Sequence, residues 1–136
     1  MKIPLTSGSY RLINLIFIAV LLAIAGYSAI FGGQYEHPVP SGSKLLTGED
    51  TISTGLSRSF SAIMKLDFNK AREFNPYGIR IFLFMMIQLT MRVAGFFVAV
   101  RRQKKMIILA DISISVILFV IFFYPFISEY FRLLFT

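Results

Sequence analysis

Three long apolar stretches alternate with shorter polar segments along the chain. Each has a core of about twenty residues with no more than one charged side chain, and about twenty such residues carry an α-helix across the hydrocarbon layer of a bilayer. The pattern predicts an all-α membrane protein in which residues 1–136 form one membrane domain. We place the three transmembrane helices at about residues 12–31, 78–100 and 106–128.

The first stretch has one alternative interpretation. Lys2 and Arg11 precede it, and the residues from Ala23 to Ala25 resemble the cleavage site of a signal peptide. The apolar run continues beyond Ala25 to Phe31, which favours a helix that stays in the membrane.

The long segment between the first two helices, residues 33–76, has a different character. It begins with a part rich in glycine, proline and serine, which predicts irregular backbone. Apolar side chains then recur at the spacing of one helical face, at Leu56, Phe60, Ile63 and Met64. The polar side chains opposite are Ser57, Arg58, Ser61 and Lys65. This pattern predicts an amphipathic helix on the membrane surface or packed over the bundle, with Phe60 shielded and Ser59 tolerant of a charge.

Local signals mark the ends of the remaining helices. Asp67 can cap a short helix that ends near Phe74. Asn75 followed by Pro76 can start the second transmembrane helix, because the asparagine caps and the proline presets φ. Pro125 lacks a backbone N–H, and we expect it to bend the last turn of the third helix.

The composition fits a lipid environment. Hydrophobic residues make up 56% of the chain and charged residues 15%, against about 25% charged residues in soluble domains. The net charge of +7 does not predict nucleic-acid binding, because its densest run, Arg101 to Lys105, lies between two apolar stretches and flanks membrane helices. The chain has no cysteine, which excludes disulfides and thiolate metal sites.

The distribution of basic residues predicts the orientation. Short cytoplasmic segments of membrane proteins carry an excess of lysine and arginine. The N-terminal segment and the Arg101 to Lys105 turn are short and densely basic, whereas the basic residues of the long loop and the C-terminal tail are spread out among acids. We therefore expect the N-terminus in the cytoplasm and the long loop outside.

Nine residues between Leu46 and Pro76 keep a characteristic order and spacing. They are Leu46, Thr47, Gly48, Gly55, Arg58, Asp67, Phe68, Asn75 and Pro76. In this they resemble a family of small bacterial membrane proteins of unknown function. The hallmark of that family is Leu-Thr-Gly, a Cys-Pro-x-Cys-Gly-x-Thr-Arg signature, then Asp-Phe and Asn-Pro ahead of a transmembrane helix. The resemblance covers about residues 37–92 and implies a membrane fold in a bacterial inner membrane, not an activity.

The most diagnostic residues of the family are replaced. Thr51 and Thr54 stand at the two cysteine positions, Ile52 at the proline and Ser57 at the threonine. Ser41 stands where a further cysteine is common. Any thiol or metal chemistry of the family is therefore absent here, and we expect neither a metal nor a cofactor.

Arg92 is the strongest candidate site residue. A charge within the hydrocarbon costs at least about 2.5–3.5 kcal/mol and usually has a partner. Asp111 is the natural partner, because its depth, counted from the shared Arg101 to Lys105 turn, differs by about 5 Å at about 1.5 Å per residue. We expect an intramembrane charge pair with a structural role, since ion paths normally need several ionisable groups in series. A transport role and an arginine that extends to the interface are the alternatives.

Other polar positions carry weaker signals. Thr54, Ser57 and Arg58 are predicted to share one helix face, where they could contact a lipid headgroup, another anion or a partner. A hydrolytic Ser57 would need a nearby base, and the sequence places none beside it. The single histidine, His37, has no neighbouring ligands for a metal site, and we expect a solvated loop residue. Arg80 and Glu129 are expected to pair at the far ends of their helices.

These observations favour a small, non-catalytic accessory subunit or regulator that contacts the bilayer and a larger membrane protein. Three helices leave little room for a solvated pathway, and the chain carries no recognisable catalytic set. Two alternatives remain, an immunity protein against a pore-forming toxin and a lipid-handling enzyme with Arg58, Ser57 or His37 at its centre.

Overall fold

The computed structural model describes residues 7–32, 54–101 and 105–134, which form five α-helices. They are α1 (Ser7–Phe31), α2 (Leu56–Met64), α3 (Phe68–Phe74), α4 (Gly78–Arg101) and α5 (Lys105–Leu134). Three segments are long and apolar enough to cross a membrane, namely Gly8–Phe31, Gly78–Val98 and Lys105–Arg132. The chain is an all-α, multi-pass membrane protein, and the predicted fold class is confirmed.

The last helix differs from its prediction. It continues past Pro125 to Leu134, although a proline removes one helical hydrogen bond. Glu129 does not pair with Arg80 among the described contacts. It pairs instead with Arg132, one turn along α5, because residues three apart on a helix are close neighbours.

α4 is the central helix of the bundle. It packs against α1, α2, α3 and α5. Phe84 on α4 joins it to α5 through edge-on and tilted contacts with three rings, whose centroids lie 5.2 to 6.2 Å away. Those three rings belong to Phe119, Phe122 and Phe123. Because such ring pairs stabilise packing by about 0.5–1.5 kcal/mol each, this aromatic seam fixes α5 along α4.

The helices α2 and α3 form a cap over one end of the bundle. Phe60 and Ile63 of α2 are buried with Ala71 of α3 and with Ile81 and Met85 of α4. α2 also approaches the end of α1 very closely. A Cβ on Gly32 would lie only 2.5 Å from the Ser57 carbonyl oxygen. Glycine at position 32 therefore permits α2 to pack directly against the backbone of α1.

The predicted polar face of α2 is partly wrong. Ser59 and Ser61 are buried, while Met64 is exposed. The reason is that α1, α3 and α4 cover the helix from several sides, so small hydroxyl side chains fit where helices approach closely. Ser59 does not lie on the exposed side that the prediction assumed, because its hydroxyl donates a 2.7 Å hydrogen bond to the Ala71 carbonyl oxygen. The apolar positions Phe60 and Ile63 are buried as predicted.

Turn residues hold the cap in place. Asp67 caps α3 as predicted, with Oδ1 accepting from the Lys70 N–H at 3.1 Å. Asn75 precedes α4, where its Oδ1 accepts from the Tyr77 N–H at 2.9 Å. Its amide nitrogen donates to the Thr54 carbonyl oxygen at 3.0 Å. Gly55 precedes α2 with φ at 79°, a left-handed conformation that favours glycine.

Candidate functional site

Six polar side chains meet inside the bundle, near the N-terminal end of α1. Each transmembrane helix contributes two of them, four residues apart: Tyr10 and Asn14 from α1, Gln88 and Arg92 from α4, and Asp111 and Ser115 from α5. Residues four apart lie on one face of a helix, so each pair points the same way. We call this group the polar network.

Arg92 is the hub of the polar network. Its Nη1 donates to Asn14 Oδ1 at 3.1 Å, and its Nη2 donates to Asp111 Oδ1 at 2.8 Å and to Ser115 Oγ at 2.7 Å. The guanidinium therefore connects α4 to both other transmembrane helices. Arginine suits this position because its planar group presents several donors in fixed directions.

Asp111 accepts from two helices at once. Oδ1 receives the Arg92 hydrogen bond, and Oδ2 receives one from the Tyr10 hydroxyl at 2.9 Å. The structure thus brings together the two residues of the expected charge pair, whose side chains are 8% and 11% exposed. Because water does not solvate them within the bundle, each charge depends on its partners for compensation.

Two donors on α4 are left over. Arg92 Nε and Gln88 Nε2 are buried without a hydrogen-bond partner in the described residues. The side-chain Oε1 of Gln88 accepts from Ser115 Oγ at 3.4 Å, which is long. Both oxygens of Asp111 are therefore hydrogen-bonded, whereas the Gln88 side chain makes one long hydrogen bond and has a nitrogen without a partner among the described residues.

The helices approach closely where the network forms. A Cβ on Gly95 would lie 2.8 Å from the Tyr10 hydroxyl oxygen and 3.4 Å from Asn14 Nδ2. Real Cβ contacts are rarely this short, so glycine at position 95 leaves the space that the tyrosine hydroxyl needs. Small residues at helix contacts serve the same purpose in other membrane proteins.

Two contacts between a cation and an aromatic ring lie beside the polar network and involve three further residues. The Phe17 ring lies under the Arg92 guanidinium at 5.8 Å, and Arg11 lies over the Phe96 ring at 4.9 Å. A cation over an aromatic face gains about 0.5–2 kcal/mol. Both contacts join α1 to α4 beside the polar network.

Sequence reasoning named Arg92 and Asp111 but missed Tyr10 and Asn14 as their partners. A usable signal was present, because the second and third apolar stretches each contain two polar side chains at i and i+4, and Tyr10 and Asn14 repeat this spacing at the start of the first stretch. Three such pairs in three spans predict facing polar sides, whereas a single polar residue in a span does not.

The other predicted site residues lie at the opposite end of the bundle. Thr54 contributes its carbonyl oxygen to Asn75, and Ser57 packs beside Gly32. Arg58 is half-buried on α2. Counted along α1 from Asn14 to Gly32, this cap lies about 27 Å from the polar network at about 1.5 Å per residue. The two groups therefore do not form one site.

Several residues that the sequence analysis singled out lie outside the part of the chain that the structure describes. His37 lies outside the described residues, as do Ser41, Thr51 and Ile52. Among the described residues, no group of three or more histidine, aspartate or glutamate side chains could hold a metal ion. The polar network offers one carboxylate, already bonded on both oxygens.

Comparisons with protein-family models, with curated proteins and with solved structures give no match to this chain.

Proposed function

We propose that this chain is a small, non-catalytic subunit or regulator of a larger membrane protein complex. The observation that carries the proposal is the position of α5 at the edge of the bundle. Among the described residues it packs mainly along α4, with a ring contact from Phe126 to Tyr77 and a hydrogen bond to α1 near one end. Its large apolar side chains are largely exposed among the described residues, so one long side of this helix can contact either lipid or a partner helix.

The polar network supports the same interpretation. Arg92 directs its charge toward Asn14, Asp111 and Ser115, so its hydrogen bonds connect helices of this chain. Such a brace fixes the relative positions of the three spans. A rigid scaffold that exposes one long side of α5 suits a subunit that docks through that side.

The orientation belongs to the same proposal. We place the N-terminus and Lys105 in the cytoplasm and the α2–α3 cap on the outer side of a bacterial inner membrane. The support is the density of basic residues in the short segments and the resemblance to small bacterial membrane proteins.

Site-specific cross-linking tests the docking side. A photoreactive amino acid at Val120 on α5 is compared with one at Leu22 on α1, since both side chains are 53% exposed. We expect Val120 to give a discrete adduct with a larger protein in native membranes, and Leu22 to give adducts with lipid only.

Affinity purification in mild detergent is the complementary experiment. A stoichiometric larger partner is expected to accompany the full chain. A clean monomer, together with lipid adducts alone from Val120, would contradict the subunit proposal. A partner seen only when a toxin is present would support an immunity protein instead.

A further inference from the structure

The segment formed by α3 and the turn that precedes it displays large apolar side chains at the end of the bundle. Leu66 is 77% exposed, and Phe68 and Phe74 are 47% and 42% exposed. Basic side chains are exposed among them, at Lys65, Lys70 and Arg72. We call residues 64–74 the apolar turn.

The backbone of Leu66 is strained. Its φ of 61° lies in the left-handed region, which costs a residue with a Cβ about 1–2 kcal/mol. Helices that end in this way usually have glycine or asparagine at this position. The neighbouring N–H groups are bonded back to α2, Leu66 to Ile63 at 2.9 Å and Asp67 to Ala62 at 2.9 Å. The strain is therefore retained at a leucine whose side chain packs little against this chain.

The side chains around α3 change in character with their distance from the bundle. Ala71 is fully buried and marks the side that faces the protein. At about 100° per residue, Phe68 and Phe74 lie about 60° to either side of Ala71. Lys70 and Arg72 lie about 100° away, and the two remaining residues, Asn69 and Glu73, lie about 160° away on the outermost side. The order is apolar, then basic, then polar.

The same order occurs in a bilayer interface, from acyl chains through phosphates to water. Amphipathic helices that lie in this layer place apolar side chains below and lysine or arginine at the phosphates, with the long basic side chains extended toward water. The cap lies at the right level, because α2 contacts the end of α1 at Gly32 and α3 lies just before Gly78, where α4 begins.

The charge of the cap fits anionic headgroups. Residues 54–80 contain five lysine and arginine residues against two acids. Lys70 lies 3.4 Å from Asp67, but 65% of its side chain is exposed, and such surface pairs contribute little. Each basic residue near an anionic surface adds an attraction that salt screens.

We propose that the apolar turn inserts into the headgroup layer of the surrounding bilayer and binds anionic phospholipids. Leu66, Phe68 and Phe74 contact the upper acyl chains, and Lys65, Lys70 and Arg72 contact the lipid phosphates. The strained Leu66 directs its side chain away from the protein and into lipid. This surface is distinct from the side of α5 that the proposed partner would use.

Depth-dependent quenching tests the insertion. Single cysteines at positions 66 and 73 of this cysteine-free chain receive an environment-sensitive fluorophore, and the protein is reconstituted into phosphatidylcholine vesicles with lipids that carry a shallow nitroxide. We expect strong quenching at position 66 and weak quenching at position 73. Equal, weak quenching at both positions would overturn the insertion.

Lipid charge tests the headgroup contact. Adding phosphatidylglycerol to the vesicles is expected to raise the thermal stability of the full chain, and added salt to reverse the gain. A variant with Lys65→Gln, Lys70→Gln and Arg72→Gln should lose the gain, while Lys105→Gln at the other end of the bundle should keep it. Inorganic phosphate should not reproduce the effect of the lipid. A gain that survives in the triple variant, or that phosphate alone reproduces, would refute the proposed lipid contact.

Leu66→Asn separates lipid contact from folding. Asparagine accepts the left-handed backbone, so thermal stability in detergent should be kept or raised. With a fluorophore at position 68, quenching by the shallow nitroxide should fall in this variant. Unchanged quenching would show that Leu66 does not insert.

Discussion

The hydroxyl of Tyr10 donates a 2.9 Å hydrogen bond to Oδ2 of Asp111, although the two residues are 101 positions apart in the sequence. This contact joins the first transmembrane helix to the last, and α5 otherwise packs along α4. The same carboxylate receives Arg92 on its other oxygen. The position of α1 relative to α5 thus depends on a phenol and a guanidinium that share one acid.

Tyr10→Phe should lower stability by about 1.5–3 kcal/mol, the range for a hydrogen bond to a charged group. The ring remains, while the hydroxyl loses its bond to Asp111 and its hydrogen-bond contact with Asn14. Thermal unfolding in detergent measures the change. Tyr124→Phe is the matched control, because Tyr124 is exposed, and it should be neutral. Equal effects of the two substitutions would contradict a role for the Tyr10 hydroxyl.

Arg92→Leu and Asp111→Leu should each be strongly destabilising, because each leaves an uncompensated charge inside the bundle. We expect losses of about 2 kcal/mol or more for the single variants, and a smaller loss for the double variant than the sum. A double-mutant cycle on detergent stability and membrane accumulation measures the coupling. Polar contacts in membranes couple by about 0.6 kcal/mol on average, and we expect more here. Strict additivity, with both single variants stable, is the contrary result.

Gly95→Ala should be destabilising because its Cβ would displace the Tyr10 hydroxyl from Asp111. Alanine in a helix gains about 0.5–1 kcal/mol over glycine, which only partly offsets the lost bond. Gly26→Ala is the control, since nothing lies within 4 Å of its Cβ, and it should be neutral or stabilising. In a Tyr10→Phe background, Gly95→Ala should become harmless. If it stays harmful there, the contact with the hydroxyl is not the cause.

Gly32→Ala should detach the cap from α1. The added Cβ would lie 2.5 Å from the Ser57 carbonyl oxygen and 2.6 Å from the Ser61 Cβ, and backbone cannot move aside without shifting α2. A cysteine introduced at the buried position 61 should react slowly with a maleimide in the parent chain and rapidly after Gly32→Ala. The Gly26→Ala variant should leave it slow. Slow reaction in both variants would mean that α2 accommodates the Cβ.

The topology can be measured with single cysteines at Lys70 and Lys105, both of which are exposed. With the N-terminus in the cytoplasm, an impermeant maleimide added to intact cells should label position 70 and not position 105. Permeabilised cells should show labelling at both. Labelling of position 105 in intact cells would reverse the proposed orientation.

The sequence predicts the three spans because lipid requires long apolar helices, and it predicts Asp67 as a cap because that interaction is local. Ser59 shows where such reasoning ends. Its polar side chain indicates a surface position, yet a hydrogen bond to the Ala71 carbonyl oxygen buries it. A periodic pattern identifies one buried side of α2, whereas contacts from α1, α3 and α4 are a tertiary property.

The candidate site, too, is predicted from the sequence only in part. Arg92 and Asp111 stand out because charges are rare in apolar stretches. Asn14 and Tyr10 do not, because a single amide or hydroxyl in a span is common and their importance depends on which way α1 faces. Only the packing of α1 against α4 at Gly95 brings them to the charges.

The order in which the chain is synthesised gives the polar network a second consequence. When α4 leaves the ribosome, Asn14 has already emerged, but Asp111 and Ser115 are still inside the ribosome. Of the three spans, that of α4 is the least apolar, and an uncompensated arginine opposes its entry into lipid. α4 and α5 should therefore insert together as a hairpin. Glycosylation mapping of chains that stop after residue 104 should show poor insertion of α4, and chains that continue to Leu134 should restore it. The contact between Arg92 and Asp111, which holds the helices together in the folded protein, then also controls the insertion of α4 into the membrane.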